Sequence, residues 1–157
     1  MPIEIERKFL IDESIVADLK EGEVIKQGYF PTTNNTAIRV RIKGGKGYIT
    51  IKGSRSGITR TEYEYEIPYN EAEEIIDTLC NNMVIDKTRY KIEHFDHTWE
   101  IDVFEGGNKG LIVAEVEMSD ENEKVVLPSW IKDEVTNDIR YSNSNLVKYP
   151  YNCWEKK

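Results

Sequence analysis

The residues able to do chemistry in this chain come in same-sign pairs spaced two apart. Glu4-Ile5-Glu6-Arg7-Lys8 stands near the start, with Glu4, Glu6 and Lys8 alternating with Ile3, Ile5, Arg7 and Phe9. Successive side chains of a strand point to opposite faces. Two carboxylates and an ammonium therefore share one face, and mostly apolar groups share the other. The pattern returns in Arg39 and Arg41, Glu62 and Glu64, Lys87 and Arg89, Glu100 and Asp102, and Glu115 and Glu117. Like charges on one strand face lie about 7 Å apart and repel. A bare fold has little use for them. A ligand with many negative charges, taken up with divalent cations, needs both sets.

Elements with a two-residue period must position these pairs. Residues 3–11 read as a strand, and Asp12 as the N-cap of a short helix through Lys20. Residues 23–30, 36–43 and 47–53 read as strands, separated by turns at Pro31–Asn35 and Gly44-Gly45. A long strand at 58–67 ends at Pro68. Asn70 is expected to cap a helix through about Asn82, with Ala72, Ile75, Ile76 and Leu79 on its apolar side. Residues 84–94 and 97–105 read as a hairpin, and 111–118 as a further strand. A helical turn is expected near Ser129–Lys132, and a short helix from about Ser142 to Val147. About eight strands with two or three helices imply an α+β fold built on an antiparallel sheet closed into a barrel.

The apolar faces run through Ile38, Val40 and Ile42; Ile49 and Ile51; Tyr63, Tyr65 and Ile67; and Ala114 and Val116. A flat sheet with one wet face accounts for any single strand. It predicts mixed polar residues on that face, not same-sign doublets on five or six strands. A closed barrel with a charged interior fits better, its outer apolar faces covered by helices such as 70–82.

Bulk properties agree with one domain. The 157 residues are 39% hydrophobic and 32% charged, with a formal net charge of −8 and a pI near 4.9. So acidic a chain has no general attraction for nucleic acid or anionic membranes. Cys80 and Cys153 lack metal-ligand spacing, and free thiols in a reducing cytosol are the simplest reading, with a disulfide between them left open. No signal peptide or membrane-length apolar run is present, so a cytoplasmic location is expected. His94 and His97 flank a turn and read as surface residues. Trp99, Trp130 and Trp154 read as packing residues, and the aromatic tail from Tyr149 to Trp154 as cover for apolar strand faces, with packing over one end of the barrel as a gate the alternative. Gly44-Gly45-Lys46-Gly47 is a hairpin turn by spacing and no phosphate-binding loop.

The opening Glu4-x-Glu6-x-Lys8 with Phe9-Leu10 resembles the signature of the CYTH superfamily, also called triphosphate tunnel metalloenzymes. The likeness continues in order through Gln27-Gly28-Tyr29, Arg39-x-Arg41, Thr50-x-Lys52, Arg60-x-Glu62-x-Glu64, Lys87-x-Arg89-Tyr90, Glu100-x-Asp102-x-Phe104, Glu115-x-Glu117 and Tyr141-Ser142-Asn143. It implies a closed eight-stranded antiparallel tunnel that binds triphosphates with Mg²⁺ or Mn²⁺. Those hard ions take oxygen ligands, and the resemblance makes Glu4, Glu6, Asp102, Glu115 and Glu117 the expected metal ligands. Glu62 and Glu64 are expected to hold a second metal or position the attacking water. Glu66 and Glu100 fit the alternation but match the family less firmly and read as surface carboxylates.

The expected substrate-binding set is Lys8, Arg39, Arg41, Lys52, Lys87 and Arg89. Arg grips phosphate in a bidentate fork, while Lys acts as a point charge. Lys43 and Lys91 extend the pattern toward the tunnel mouth. Lys8 and Tyr29 join Glu62 and Glu64 as expected catalytic residues. By resemblance Tyr29 reaches the substrate, where a phenol can give a proton to a leaving phosphate; a packed aromatic is the equal alternative. The expected reaction is metal-assisted hydrolysis of a terminal phosphoanhydride bond. The chain looks most like the small bacterial members that hydrolyse inorganic tripolyphosphate. The rivals are a class IV adenylyl cyclase, a nucleoside or thiamine triphosphatase, and a non-catalytic polyphosphate-binding module. The partner expected is a small-molecule triphosphate, with the protein a monomer or homodimer.

Overall fold

The computed structural model describes residues 2–154. Its frame is β1 (Ile3–Ile11), β2 (Glu23–Phe30), β3 (Ala37–Lys43), β4 (Lys46–Lys52), β5 (Thr59–Ile67), α1 (Tyr69–Leu79), β6 (Val84–His94), β7 (His97–Phe104), β8 (Ile112–Glu117), β9 (Ile131–Glu134) and α2 (Asn143–Leu146). The sheet order is β5-β4-β3-β2-β6-β7-β8-β1-β9, and β5 also pairs with β1. Eight antiparallel strands thus close into a barrel, with β9 as a flap on its seam.

The seam explains β9. The first residues of β1 pair with β5, with Ile3 opposite Thr61 and Ile5 opposite Thr59. Twist then carries β1 away from β5, leaving backbone groups along its second half without a strand on that side. Residues 131–134 fill this edge, with Phe9 opposite Glu134 and Ile11 opposite Ile131. The helical turn expected at Ser129–Lys132 is therefore a turn running into a strand. The other departures are small. Asp12 does cap a helix, accepting from Ser14 N at 2.9 Å, but it is a 3-10 helix over Glu13–Asp18. In α1 the cap position is Pro68 and not Asn70. The Pro68 carbonyl accepts the first helical bond, from Ala72 N at 3.0 Å, so Asn70 already lies inside the first turn.

Two tight hairpins set register. Gly44 and Gly45 have φ of 60° and 74°, the left-handed pair that a two-residue turn needs to match strand twist. Phe95 and Asp96 do the same without glycine, at 44° and 52°. A Cβ at Gly47 would lie 2.6 Å from the Ala72 Cβ, so glycine here lets α1 lie close on the sheet.

Three apolar clusters hold the barrel. Val40, Ala72 and Ile76 pack with Ile42, Ile49, Ile67 and Ile75, which puts α1 over the outer face of β3–β5. Phe9, Ile11, Trp99, Ile101, Ala114 and Val116 form a second cluster, covered by Ile15, Leu19, Val125 and Trp130. Trp99 is fully buried and meets the Phe9 and Trp130 rings at 5.6 and 5.8 Å. A third cluster lies inside the barrel. Tyr29, Ile85, Phe104, Leu111, Val113 and Leu146 pack together, joined by Tyr141, Tyr151 and Trp154. Tyr29, Ile85, Phe104 and Val113 lie in phase with Gln27, Lys87, Asp102 and Glu115 along their strands. The lumen face is therefore charged at one end and apolar at the other, and Leu146 of α2 helps plug the apolar end. The aromatic tail covers this plug. Cys80 is buried, Cys153 is exposed, and both are free thiols. Among the described residues no helix is long and apolar enough to cross a membrane.

Candidate active site

Strand register assembles the site. Glu6 lies opposite Glu117, and Lys8 opposite Glu115. Glu100 faces Glu115 from the other side, and Lys52 faces Glu62. All of these but Lys8 line a cavity of about 200 Å³. Glu4, Glu6, Glu62, Glu64, Glu100, Glu115 and Glu117 bring seven carboxylates to it, and Arg39, Arg41, Lys43, Lys52 and Arg89 bring five cations. Asn143 completes the lining.

The two signs pair across the cavity. Lys52 Nζ lies 3.2 Å from Glu4 and 4.0 Å from Glu62. Burial acts to raise the pKa of Glu4, but Lys52 and the hydrogen bond with Glu62 together outweigh it, and Glu4 stays ionised more readily than a free carboxylate. Glu6 is the opposite case. Burial, with Glu115 and Glu4 close by, pushes its carboxyl up to about 8. Its nearest cation is Arg55, 3.9 Å away on the loop between β4 and β5. Glu62 is pushed up to about 7, by burial first and then by its hydrogen bond with Glu4. Burial and the carboxylates of Glu4 and Glu100 also raise Glu117.

The basic side is held from behind. Arg39 Nη2 donates to Thr50 Oγ1 at 3.0 Å, and Thr50 Oγ1 donates to Glu64 at 2.8 Å. Arg39 Nε is buried with no acceptor. Arg41 Nε donates to Gln27 Oε1 at 2.9 Å, and Gln27 Nε2 donates to Tyr29 Oη at 2.9 Å. Burial, then Arg39 and Arg89, push Arg41 down to about 10. Arg89 grips Asp102 with two bonds of 2.7 and 2.9 Å.

Some expected contacts do not reach this lining. The fully buried Asp102 is taken up by Arg89 and by Lys87 Nζ at 2.7 Å. Burial would raise its pKa, but these two cations hold it well below the carboxylate range. Asp102 therefore acts as an anchor for cations in this geometry, not as an open metal ligand. Lys87 itself is sealed away, at 0% side-chain exposure. Tyr29 stands in the apolar plug and lines a second, wider cavity of about 620 Å³ with Arg55 and Arg60. Lys8 stands between the two cavities. Its Nζ lies 3.5 Å from Glu115 and donates to the Tyr141 carbonyl at 3.1 Å. Burial opposes the ionisation of Glu115, yet Lys8 and the other cations draw its pKa down to about 2.

Glu100, read from the sequence as a surface carboxylate, is on the lining. Arg55 had no signal, because a loop residue has no strand period to betray it. Thr50, Gln27 and Asn143 stood inside the motifs but had no role until their partners were visible. Lys91 and Glu66 lie exposed beyond the mouth.

The donor set suits a hard divalent cation, since every acidic group on the lining offers carboxylate oxygen. The mutual crowding that raises Glu6 is what a cation would relieve. Among the described residues, no three His, Cys, Asp or Glu side chains are already gathered at ligating distance.

Comparison with known proteins points the same way. An inorganic triphosphatase of Acetivibrio thermocellus is 49% identical over 148 residues, covering 94% of this chain and 95% of that protein. An inorganic triphosphatase of Nitrosomonas europaea is 36% identical over 152 residues, covering 92% and 96%. A crystal structure of an inorganic triphosphatase matches with a TM-score of 0.65 at 31% identity, over 94% of this chain and 95% of that one. The model of the CYTH domain matches residues 2–151, and the chain belongs to that family.

Proposed function

We propose that this protein hydrolyses a triphosphate with the help of Mg²⁺ or Mn²⁺, and that inorganic tripolyphosphate is its substrate. The observation that carries the reading is the gathering of seven carboxylates and five cations on one 200 Å³ cavity. Binding a polyanion alone needs only the cations.

Arg39, Arg41, Lys52 and Arg89 hold the phosphate chain. Arg39 brings a buried Nε that still needs an acceptor, and Arg89 is fixed by Asp102 so that its remaining N–H groups stay aimed. Lys87 acts through Asp102, and Tyr29 acts through Gln27 on Arg41. Lys8 closes the cavity beside Glu115. Glu4, Glu6, Glu115 and Glu117 are the carboxylates that would hold the metal. When bound, it neutralises charge on the phosphate oxygens and orders water beside them.

Glu62, poised at about 7, is suited to take a proton at neutral pH. The water it deprotonates attacks the terminal phosphorus in line. The bond from that phosphorus to the bridging oxygen breaks, and pyrophosphate leaves as orthophosphate forms. Glu64, held by Thr50 and Arg39, keeps the basic row in register. Positioning and charge suffice for phosphoryl transfer, and no covalent nucleophile is needed.

Tripolyphosphate is preferred to a nucleotide because, among the described residues, the lining of the charged cavity carries no aromatic or apolar side chain on which a base could stack. The named activity of the relatives that span the chain supports the same choice. We place the protein in the cytoplasm, in keeping with its free thiols. The test is phosphate release from tripolyphosphate and ATP in parallel, with Mg²⁺, with Mn²⁺ and with chelator. Fast metal-dependent release from tripolyphosphate and slow release from ATP is expected. Cyclic AMP from ATP would overturn the substrate and the reaction.

A further inference from the structure

Asn143 is the one uncharged side chain lining the charged cavity among the described residues. Its Oδ1 is buried and has no hydrogen-bond donor among the described residues. A buried amide oxygen left unpaired costs about 1–3 kcal/mol, and such orphans in native proteins call for an explanation. Its placement is not loose. Ser142 caps α2, with Asn145 N donating to Ser142 Oγ at 3.3 Å. The Ser142 hydroxyl donates to the Ile139 carbonyl at 2.9 Å, and Lys8 Nζ holds the Tyr141 carbonyl. Leu146, one turn on, is fully buried in the apolar plug. The segment thus fixes a bare acceptor in the cavity where every other lining group is ionisable.

The acceptor needs a donor. The ionised triphosphate presents oxygens without protons. A divalent cation has seven carboxylates to choose from and no need of a neutral amide. Among the described residues no N–H of Arg39, Arg41, Lys43, Lys52 or Arg89 bonds Asn143 Oδ1, and in the hydrolytic reading the cations serve the phosphate chain. Water is the remaining species in the reaction that carries an O–H to give. We propose that Asn143 Oδ1 accepts a hydrogen bond from the hydrolytic water and fixes its orientation toward the terminal phosphorus. The proton that leaves this water goes to a carboxylate of the lining, and the second O–H stays bonded to Asn143 through the attack. This inference rests on the hydrolytic reading of the cavity.

Asn143→Leu, close in shape and without an acceptor, and Asn143→Ala are compared with the wild type. Steady-state kinetics on tripolyphosphate, Mg²⁺ titration and thermal melting are measured on each. The expected result is a kcat lower by about tenfold to hundredfold, the loss typical of a misplaced reactant. KM and the Mg²⁺ half-saturation should stay within about twofold. Tm should not fall, since removing an unpaired buried acceptor relieves the folded state. An unchanged kcat overturns the proposal. So does a raised KM with kcat intact, which would make the amide a substrate clamp, or a raised Mg²⁺ requirement, which would make it a ligand. A fall in Tm that parallels the loss of activity would make it merely structural. The wild type in the same assay separates the two readings: if it releases no orthophosphate, the hydrolytic function fails, independently of Asn143.

Discussion

At the scale of single residues, the site works by leaving some charges satisfied and others not. Arg89 and Lys87 share Asp102 as partner in a dry interior, whereas Glu6, buried and facing carboxylates, holds its proton up to about 8. That contrast separates supporting groups from groups that wait for a ligand. Glu6→Gln removes a ligand and the repulsion together. It should abolish metal-dependent turnover while the metal-free Tm at pH 8 holds or rises; wild-type rates at saturating Mg²⁺ would remove Glu6 from the metal site. Arg41→Ala should weaken tripolyphosphate binding about tenfold to hundredfold, the worth of a charge-assisted bond, and an unchanged calorimetric isotherm would place Arg41 outside the substrate's reach. The alternating charges were legible in the sequence because strand period alone puts them on one face. Their division of labour was not. Whether Asp102 meets a metal or a cation depends on which neighbour stands opposite it, and the register of β6 on β7 puts Arg89 there.

At the scale of elements, the apolar side of each strand is as informative as the charged side. Val40 and Ile42 face α1, whose Ala72 and Ile76 are buried there. This cover lies on the face of β3 opposite Arg39 and Arg41. Ile76→Val should cost about 0.5–1.5 kcal/mol and lower Tm by about 2–4 °C, with kcat unchanged; a matching loss of kcat would show that α1 is coupled to the cavity. The strands and α1 were readable because their periods run long and unbroken. The stretch at 131–134 was misread because Ile131-Lys132-Asp133-Glu134 is only half an alternation. What makes it a strand is the open edge of β1, which lies more than a hundred residues away in sequence. The apolar plug escaped notice for a related reason. Tyr29, Ile85, Phe104 and Val113 sit in phase with the charged residues, and only three-dimensional closure shows that one strand face serves both a wet and a dry end.

At the scale of the whole molecule, the metal-free barrel carries an electrostatic burden that depends on pH. Glu6 and Glu62 hold protons in the folded state, up to about 8 and about 7, that the unfolded chain releases near pH 4–5. The folded chain binds more protons between these limits, so stability falls as pH rises from about 5 toward 8. Asp102 and Glu115 have lowered values, and their contribution is lost only in acid. Lys87 is pushed down to about 7 by burial against the pull of Asp102. Above that pH the folded chain has released a proton the unfolded chain keeps, so Lys87 opposes the glutamates only from neutrality upward. The metal-free Tm should therefore decline from pH 5 to 7. Excess Mg²⁺ should raise Tm more at pH 8 than at pH 6, because the cation displaces a proton from Glu6; a lift independent of pH would contradict that account. The closed barrel and the charged lumen were foreseeable from strand count and doublets together, since neither explains the other in an open sheet. Phosphorus NMR of tripolyphosphate turnover in water enriched in heavy oxygen shows which phosphorus the water attacks. The tunnel as described predicts one orthophosphate and one pyrophosphate per substrate, with the heavy oxygen on the orthophosphate. No metal-dependent turnover, or label found on pyrophosphate alone, would contradict attack by water on the terminal phosphorus.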